Sequence, residues 1–284
     1  MHVQFLVTGE LEDETLGEAI LRAIGEIDDC TLMPTLRTDS MTSSGRPLTD
    51  EGNTSIRRFA NRLVSEFAPG RGSRPPDVLV AIDDLEPWNT AQPDLVVKLL
   101  RRALRERLDR IPQTDRARTA SLLQRRTSFH LLAPMPETYF FGDPAALSEC
   151  MLHVDRVPRL LRDDLEDFET DDPSYLSVAR RETWDARHPK RYLQFLSDGN
   201  YHETSQGKAA LRRLSWRGLS PKHDPLGFAR AMFEDIVFAL FAGLEKGFSN
   251  PLGSVGPKAS ATFGRGIPES RNPASAADVI LRNI

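Results

Sequence analysis

The segment that most constrains this chain is Asp77-Val78-Leu79-Val80-Ala81-Ile82, an unbroken apolar run of strand length that ends in Asp83-Asp84-Leu85-Glu86. A strand with one wet face alternates apolar and polar side chains, whereas one that is apolar at every position is covered on both faces. Such strands belong to parallel sheets between helices, because parallel neighbours need a crossover long enough to hold a helix. Two more runs suit the same role: Val3-Gln4-Phe5-Leu6-Val7, closed by Thr8-Gly9, and Ser128-Phe129-His130-Leu131-Leu132. Thr31 to Thr35 is a further candidate strand.

Helical periodicity fills the intervals. Leu16, Ile20, Ala23, Ile24 and Ile27 share one face behind Glu10, Glu12, Asp13 and Glu14, acids that a helix dipole favours at its start. Ile56, Phe59, Ala60, Leu63, Val64 and Phe67 mark a second helix, capped near Asn53 or Thr54, and Leu95 to Leu108 a third. The alternation predicts an α/β domain over residues 1–148, a parallel sheet flanked by helices. Beyond it the pattern is mainly helical: Leu147 to Leu161, Pro189 to Leu196, Gln206 to Leu214 and Phe228 to Leu244, giving a helical part over 149–246 packed on the first. Residues 247–284 form a Gly/Pro-rich tail with a short helix from Ala274 to Leu281.

Composition removes several classes. With 284 residues, 39% of them hydrophobic, a real core is available, so a disordered, collagenous or coiled-coil chain is excluded. No apolar run approaches the roughly 18 residues of a membrane span. The first residues lack the basic region and long apolar stretch of a signal peptide. Cys30 and Cys150 are far apart and outside any CxxC pair, which argues against a disulfide framework or zinc ribbon and for a reducing, cytoplasmic setting. No GxSxG or HExxH motif is present. Gly70-Arg71-Gly72-Ser73-Arg74 precedes a strand instead of opening a helix, so it reads as a linker, not a phosphate loop. The net charge of −4 conceals two opposed blocks: nine arginines from Arg101 to Arg126, and seven acids from Asp163 to Asp172. Guanidinium groups pair bidentately with phosphate oxygens, so the first block suits a polyanion such as nucleic acid; the second would cover that basic surface until a partner displaced it.

In open parallel sheets, ligands bind outside the carboxyl ends of the strands. Three sources of carboxylate fall there: Glu10 and Glu12 after the first strand, Asp83, Asp84 and Glu86 after the second long one, and Glu137 after the strand that ends near Ala133. Magnesium (or manganese) takes oxygen ligands, commonly one or two carboxylates completed by water and substrate phosphate. The same acids also suit helix starts and caps without any metal.

The order of strand, Gly-containing acidic turn, helix, and strand ending in acids resembles the TOPRIM fold of primases, topoisomerases and OLD-type nucleases. Leu6-Val7-Thr8-Gly9-Glu10-Leu11-Glu12, Ala133-Pro134-Met135-Pro136-Glu137-Thr138-Tyr139-Phe140-Phe141-Gly142-Asp143 and His188-Pro189-Lys190-Arg191-Tyr192-Leu193 are similar to segments of an uncharacterised bacterial TOPRIM-like family (DUF4276-type), often encoded in defence or mobile loci. Tyr201 through Thr204 to Gly207-Lys208 is similar to that family's closing pattern. The resemblance covers residues 1 to about 215 through short motifs. It implies magnesium-dependent phosphodiester cleavage, with a role in phage defence. Glu137, Glu12 and Asp83 would be the catalytic acids, Asp83, Asp84, Glu86 and Glu10 the metal ligands, and Arg101, Arg105, Lys190 and Lys208 the phosphate contacts. Thr8 stands where the TOPRIM glutamate directly precedes its glycine, and Leu85 where a second aspartate follows the first; Asp84 and Glu86 restore that spacing one position on. Two functions follow: a nuclease, or a catalytically degenerate subunit that partners an ATPase. DNA, RNA and small phosphoesters all remain open as substrates, as does homo-oligomerisation.

Overall fold

The computed structural model describes residues 1–219, apart from 14, 25–29, 44, 71, 73, 151–155, 180–184 and 217–218, together with 228, 229, 232 and 236. Three strands form the body of one parallel sheet: β1 (His2–Val7), β4 (Val78–Asp84) and β5 (Thr127–Leu132), with β4 in the middle. Two short strands, β2 (Thr31–Leu32) and β3 (Leu36–Arg37), pair in succession with the free side of β1. Of the strand expected over Thr31 to Thr35 only Thr31–Leu32 forms, and β3 begins just beyond it. Pro34 has no N–H to give the ladder, and its carbonyl instead accepts from Gln4 Nε2 at 3.0 Å.

Side-chain parity divides the core into two layers. Val3, Phe5 and Val7 of β1 and Val78, Val80 and Ile82 of β4 face one layer, which α1 (Thr15–Ile24) helps to cover. Leu6, Leu79 and Ala81, with Phe129 and Leu131 of β5, face the other, covered by α2 (Thr54–Ser65) and, after the short α3 (Glu86–Asn89), by α4 (Pro93–Leu108). Asn53 caps α2 by accepting from the Ile56 amide at 2.9 Å, and Phe59 packs edge-on against Phe129 with ring centroids 5.8 Å apart. Both rings are fully buried, and truncating either to alanine removes roughly 3–5 kcal/mol of stability.

The basic stretch contains a second helix, α5 (Gln113–Arg126), that periodicity did not single out; its apolar side chains are too few to mark a face. After β5 a 3₁₀ turn (Pro136–Gly142) leads into α6 (Pro144–Cys150). The helix expected from Leu147 to Leu161 does not persist. Residues 156–161 are non-helical, Pro158 cannot donate to a helical ladder, and Leu160 pairs with Thr170 in an antiparallel bridge. Next come α7 (Pro173–Val178), α8 (Pro189–Leu196), a π turn (Glu203–Gly207) and α9 (Lys208–Arg213). Leu211, Trp216, Met232 and Ile236 belong to the same buried cluster as Val3 and Phe5 of β1, so the apolar core is continuous across residue 148.

The acidic stretch has local partners. Glu169 pairs with Arg162 at 3.1 Å and with Arg187 at 3.5 Å, Asp171 pairs with Arg159 at 3.4 Å, and Asp167 with Arg162. Asp172 caps α7, accepting from the Ser174 amide at 2.9 Å, while buried Glu166 accepts from Tyr139 Oη and the amides of Phe228 and Ala229. Asp167, Glu169 and Asp171 thus pair with arginines of the second half of the chain. The expected helix Phe228 to Leu244 lies largely outside the described residues, although 228, 229, 232 and 236 are helical. The tail over 247–284 with its terminal helix lies outside them entirely. No helix among the described residues is long and apolar enough to cross a membrane.

Candidate active site

Because β1, β4 and β5 run parallel, their carboxyl ends share one edge of the sheet, and the register determines which side chains meet there. Leu6 lies beside Ala81, so two residues further on Thr8 comes level with Asp83. Thr8 Oγ1 donates to Asp83 Oδ1 at 2.7 Å, Ser40 Oγ donates to the same oxygen at 2.9 Å, and the Met41 amide donates to Oδ2 at 3.0 Å. Asp83 is 1% exposed, and both of its oxygens are committed to holding the first turn and the loop at 40–42. Its neighbour continues the parity of Val80 and Ile82 and projects from the opposite face of the sheet. Adjacent acids therefore do different work: Asp83 braces the loops, and Asp84 faces a cavity.

That cavity has a volume of about 400 Å³, and Glu12, Asp84, Glu86 and Glu137 all line it. The first turn brings Glu12 in. Its carboxylate lies directly over Gly9, where an added Cβ would stand 1.8 Å from Oε2. Only glycine leaves that space, so Thr8 before the glycine does not leave the turn without an acid: Glu12 folds back to supply one. Glu86 follows β4 with a φ of +56°, a left-handed conformation costing a non-glycine residue about 1–2 kcal/mol. Its amide donates to the Pro134 carbonyl at 2.8 Å, which clamps the acidic turn to the segment leading to Glu137. Glu137 Oε1 accepts from Tyr201 Oη at 3.2 Å, and Tyr201 itself packs close to Gly207, where a Cβ would meet the phenol oxygen at 2.8 Å.

The electrostatics follow from crowding acids in a partly enclosed space. Burial, then repulsion from Glu137, Asp83 and Glu86, raises Glu12 to about 8 against its own backbone hydrogen bond. Burial and Glu137 raise Glu86 to about 7, with Lys190 opposing. Asp84 is pushed well up by burial, then by Glu86, and Asp83 rises to about 6 through burial despite its three donors. Glu137 is raised by burial, while Lys190 and the Tyr201 hydroxyl hold it down. Glu12 Oε2 and Glu86 Oε2 are buried without a hydrogen-bond partner.

The wall opposite the sheet comes from α8 and the residue before it. His188, Lys190, Arg191 and Gln194 line the cavity together with Glu203. Lys190 pairs with Glu203, and Arg191 Nη1 lies 2.5 Å from Asp185 Oδ1. Burial, then the charges of Arg191 and Lys190, lower His188 to about 3, so its imidazole is neutral throughout the physiological range.

Of the residues singled out in the sequence, Glu12, Asp84, Glu86, Glu137 and Lys190 meet in this cavity. Asp83 stands behind it. Glu10 is exposed and pairs with Arg37 at 3.0 Å. Arg101 and Arg105 lie on α4, no residue of which lines the cavity, and Lys208 opens α9 outside the lining. Thr8, Ser40, His188, Arg191 and Gln194 are lining residues that the acidic pattern did not point to. His188 and Arg191 had a signal, since both fall in the His188-Pro189-Lys190-Arg191 segment.

The donors suit a hard cation in chemistry and charge: carboxylate oxygens, two of them buried and unpartnered. They do not form a closed cage, since among the described residues no three Asp, Glu, His or Cys side chains converge tightly enough to ligate one ion. What fits is an open site with two carboxylates and water completing the shell. Searches against protein-family models, curated proteins and solved structures find no match for this chain.

Proposed function

We propose that this protein is a divalent-metal-dependent phosphodiesterase acting on nucleic acid, in line with its resemblance to TOPRIM-like nucleases. One observation carries the reading: Glu12, Asp84, Glu86 and Glu137 reach a single cavity at the carboxyl edge of a parallel sheet, with Lys190 and Arg191 on the facing wall. Lys190 offsets Glu86 and Glu137 only in part, since both stay raised, and such crowding of acids costs stability that a purely structural role does not repay. Asp84 and Glu86, with Glu137 beside them, would hold the ion, which supplies charge neutralisation and a more acidic bound water. Lys190 and Arg191 would orient the phosphate, Glu12, which holds a proton near neutrality, would serve as a proton donor, and Asp83 would keep the first turn in position. With both cysteines free, a reducing cytoplasmic setting suits the chain.

The test is incubation with plasmid, single-stranded DNA and tRNA in magnesium, manganese or EDTA. Metal-dependent cleavage that disappears in Asp84→Ala supports the reading, and cleavage unchanged in that variant overturns it. A second reading, the catalytically degenerate subunit that docks on a partner ATPase, draws on there being, among the described residues, no three acids drawn together tightly enough to ligate one ion. It predicts no metal-dependent cleavage and salt-sensitive association with that partner.

A further inference from the structure

A second recess lies on the α2–α4 side of the sheet. It is an open groove of about 560 Å³ lined by Thr38, Arg58, Asn61, Arg62, Arg107 and Arg110, among others. Arg58 and Arg62 are four apart on α2, so they share a face. Arg107 lies in the last turn of α4 and Arg110 three residues on, just past its end. Arg58 pairs with Asp39, and Arg62 with Glu66 at 3.5 Å. Arg107 and Arg110 have no carboxylate partner among the described residues. A cation in the last turn of a helix offsets the helix dipole, which accounts for Arg62 and Arg107 singly. It does not account for four guanidinium groups from two helices converging on one groove.

The groove is also adjacent to the acidic cavity. Thr38 lines the groove and Ser40 lines the cavity, so a single loop separates the two recesses by two residues, at most about 7 Å of chain. That is about the reach from one phosphate to the next along a strand.

We propose that this groove is the track for the sugar–phosphate backbone of the nucleic acid, delivering a strand over Thr38 to the carboxylates. The inference rests on the nucleic-acid reading above; it picks Arg107 and Arg110 out of the arginine block of 101–126 and joins to them Arg58 and Arg62, which neither that block nor the motif segments indicated. Arg107 and Arg110 supply the unpaired charge, and Arg58 and Arg62 join by exchanging Asp39 and Glu66 for phosphate. Backbone contacts of this kind are insensitive to base sequence and sensitive to salt.

The experiment is fluorescence anisotropy with 30-nucleotide single-stranded DNA, RNA and duplex DNA in EDTA, so that binding is measured with hydrolysis off. Wild type is compared with Arg107→Gln/Arg110→Gln and with a control of equal charge, Arg22→Gln/Arg212→Gln, both pairs first shown to keep the wild-type circular dichroism and urea midpoint. The expected result is about tenfold weaker binding by the groove variant, with a salt slope smaller by about 1.4 on single strands, and little change in the control. Equal weakening in both variants overturns the assignment, as does competition by polyglutamate as effective as by oligonucleotide. Cleavage by wild type with binding unaffected in the groove variant sinks the groove alone. Groove-dependent binding without cleavage in magnesium sinks the hydrolase reading alone.

Discussion

Replacing Glu86 by glutamine should stabilise this protein, and by an amount that grows with pH. Burial and the Glu137 carboxylate raise Glu86 from 4.5 to about 7 in the fold. A carboxyl raised in the folded state holds its proton longer than the unfolded chain does, so its contribution is most favourable below the unfolded value and is lost as pH rises to the folded one. For these two values the penalty is about 1 kcal/mol at pH 5 and about 3 kcal/mol at pH 8. Glutamine has nearly the same shape and no charge, and it leaves the left-handed backbone as it is, so the difference reports the cost of the buried charge, desolvation first and repulsion from Glu137 second. The assay is urea unfolding of wild type and Glu86→Gln at pH 5, 6.5 and 8 in EDTA. Wild type should weaken from pH 5 to pH 8 more steeply than the variant, and the variant should be the more stable at pH 8 by roughly 1–3 kcal/mol. A variant equal to or weaker than wild type at pH 8 would refute the reasoning that Glu86 carries a buried charge crowded by a second acid.

Other substitutions separate the roles of neighbouring residues. Asp83→Ala removes the acceptor of three hydrogen bonds and should cost about 2–4 kcal/mol in urea unfolding, whereas Asp84→Ala should leave stability unchanged or raise it. Gly9→Ala places a Cβ 1.8 Å from the resting position of Glu12 Oε2, so it should abolish cleavage while circular dichroism stays native. Tyr201→Phe takes away the donor that holds Glu137 down and should cost about 1 kcal/mol of stability and move the limb set by Glu137 in the pH–rate profile to higher pH; an unchanged profile would remove Tyr201 from the site.

The sheet was legible because Val78 to Ile82 is apolar at every position, a pattern that double coverage explains, and because Val3 to Val7 and Ser128 to Leu132 are mainly apolar runs of strand length. Val78 to Ile82 and Ser128 to Leu132 needed no tertiary information. What the pattern did not carry was the parity at the strand end: Asp83 and Asp84 look equivalent in a row of acids, yet the pleat sends one into the loop-bracing bonds and the other into the cavity. Glu10 and Glu12 posed the same ambiguity, resolved by the space above Gly9, which one-dimensional spacing cannot show. Helix α5 was missed because its sequence is nearly all polar and basic. The helix expected through residue 161 overran Pro158, since the apolar positions Leu160 and Leu161 serve a bridge to Thr170 and its neighbours instead. Arg101 and Arg105 stood out by density of charge, but density does not say which face of α4 a side chain occupies. The groove arginines come from two helices, and no single segment displays them together.

Calorimetric titration tests whether the acidic cavity takes up a divalent cation. Manganese or magnesium is titrated into wild type and into Asp84→Asn/Glu137→Gln at pH 7, in two buffers of different ionisation enthalpy. Carboxyls that retain protons near neutrality must release them on binding metal, so the observed heat should depend on the buffer. Wild type should show one saturable site with proton release, and the variant no site. Absence of binding in wild type, or equal binding in both proteins, would contradict uptake of the ion by the cavity.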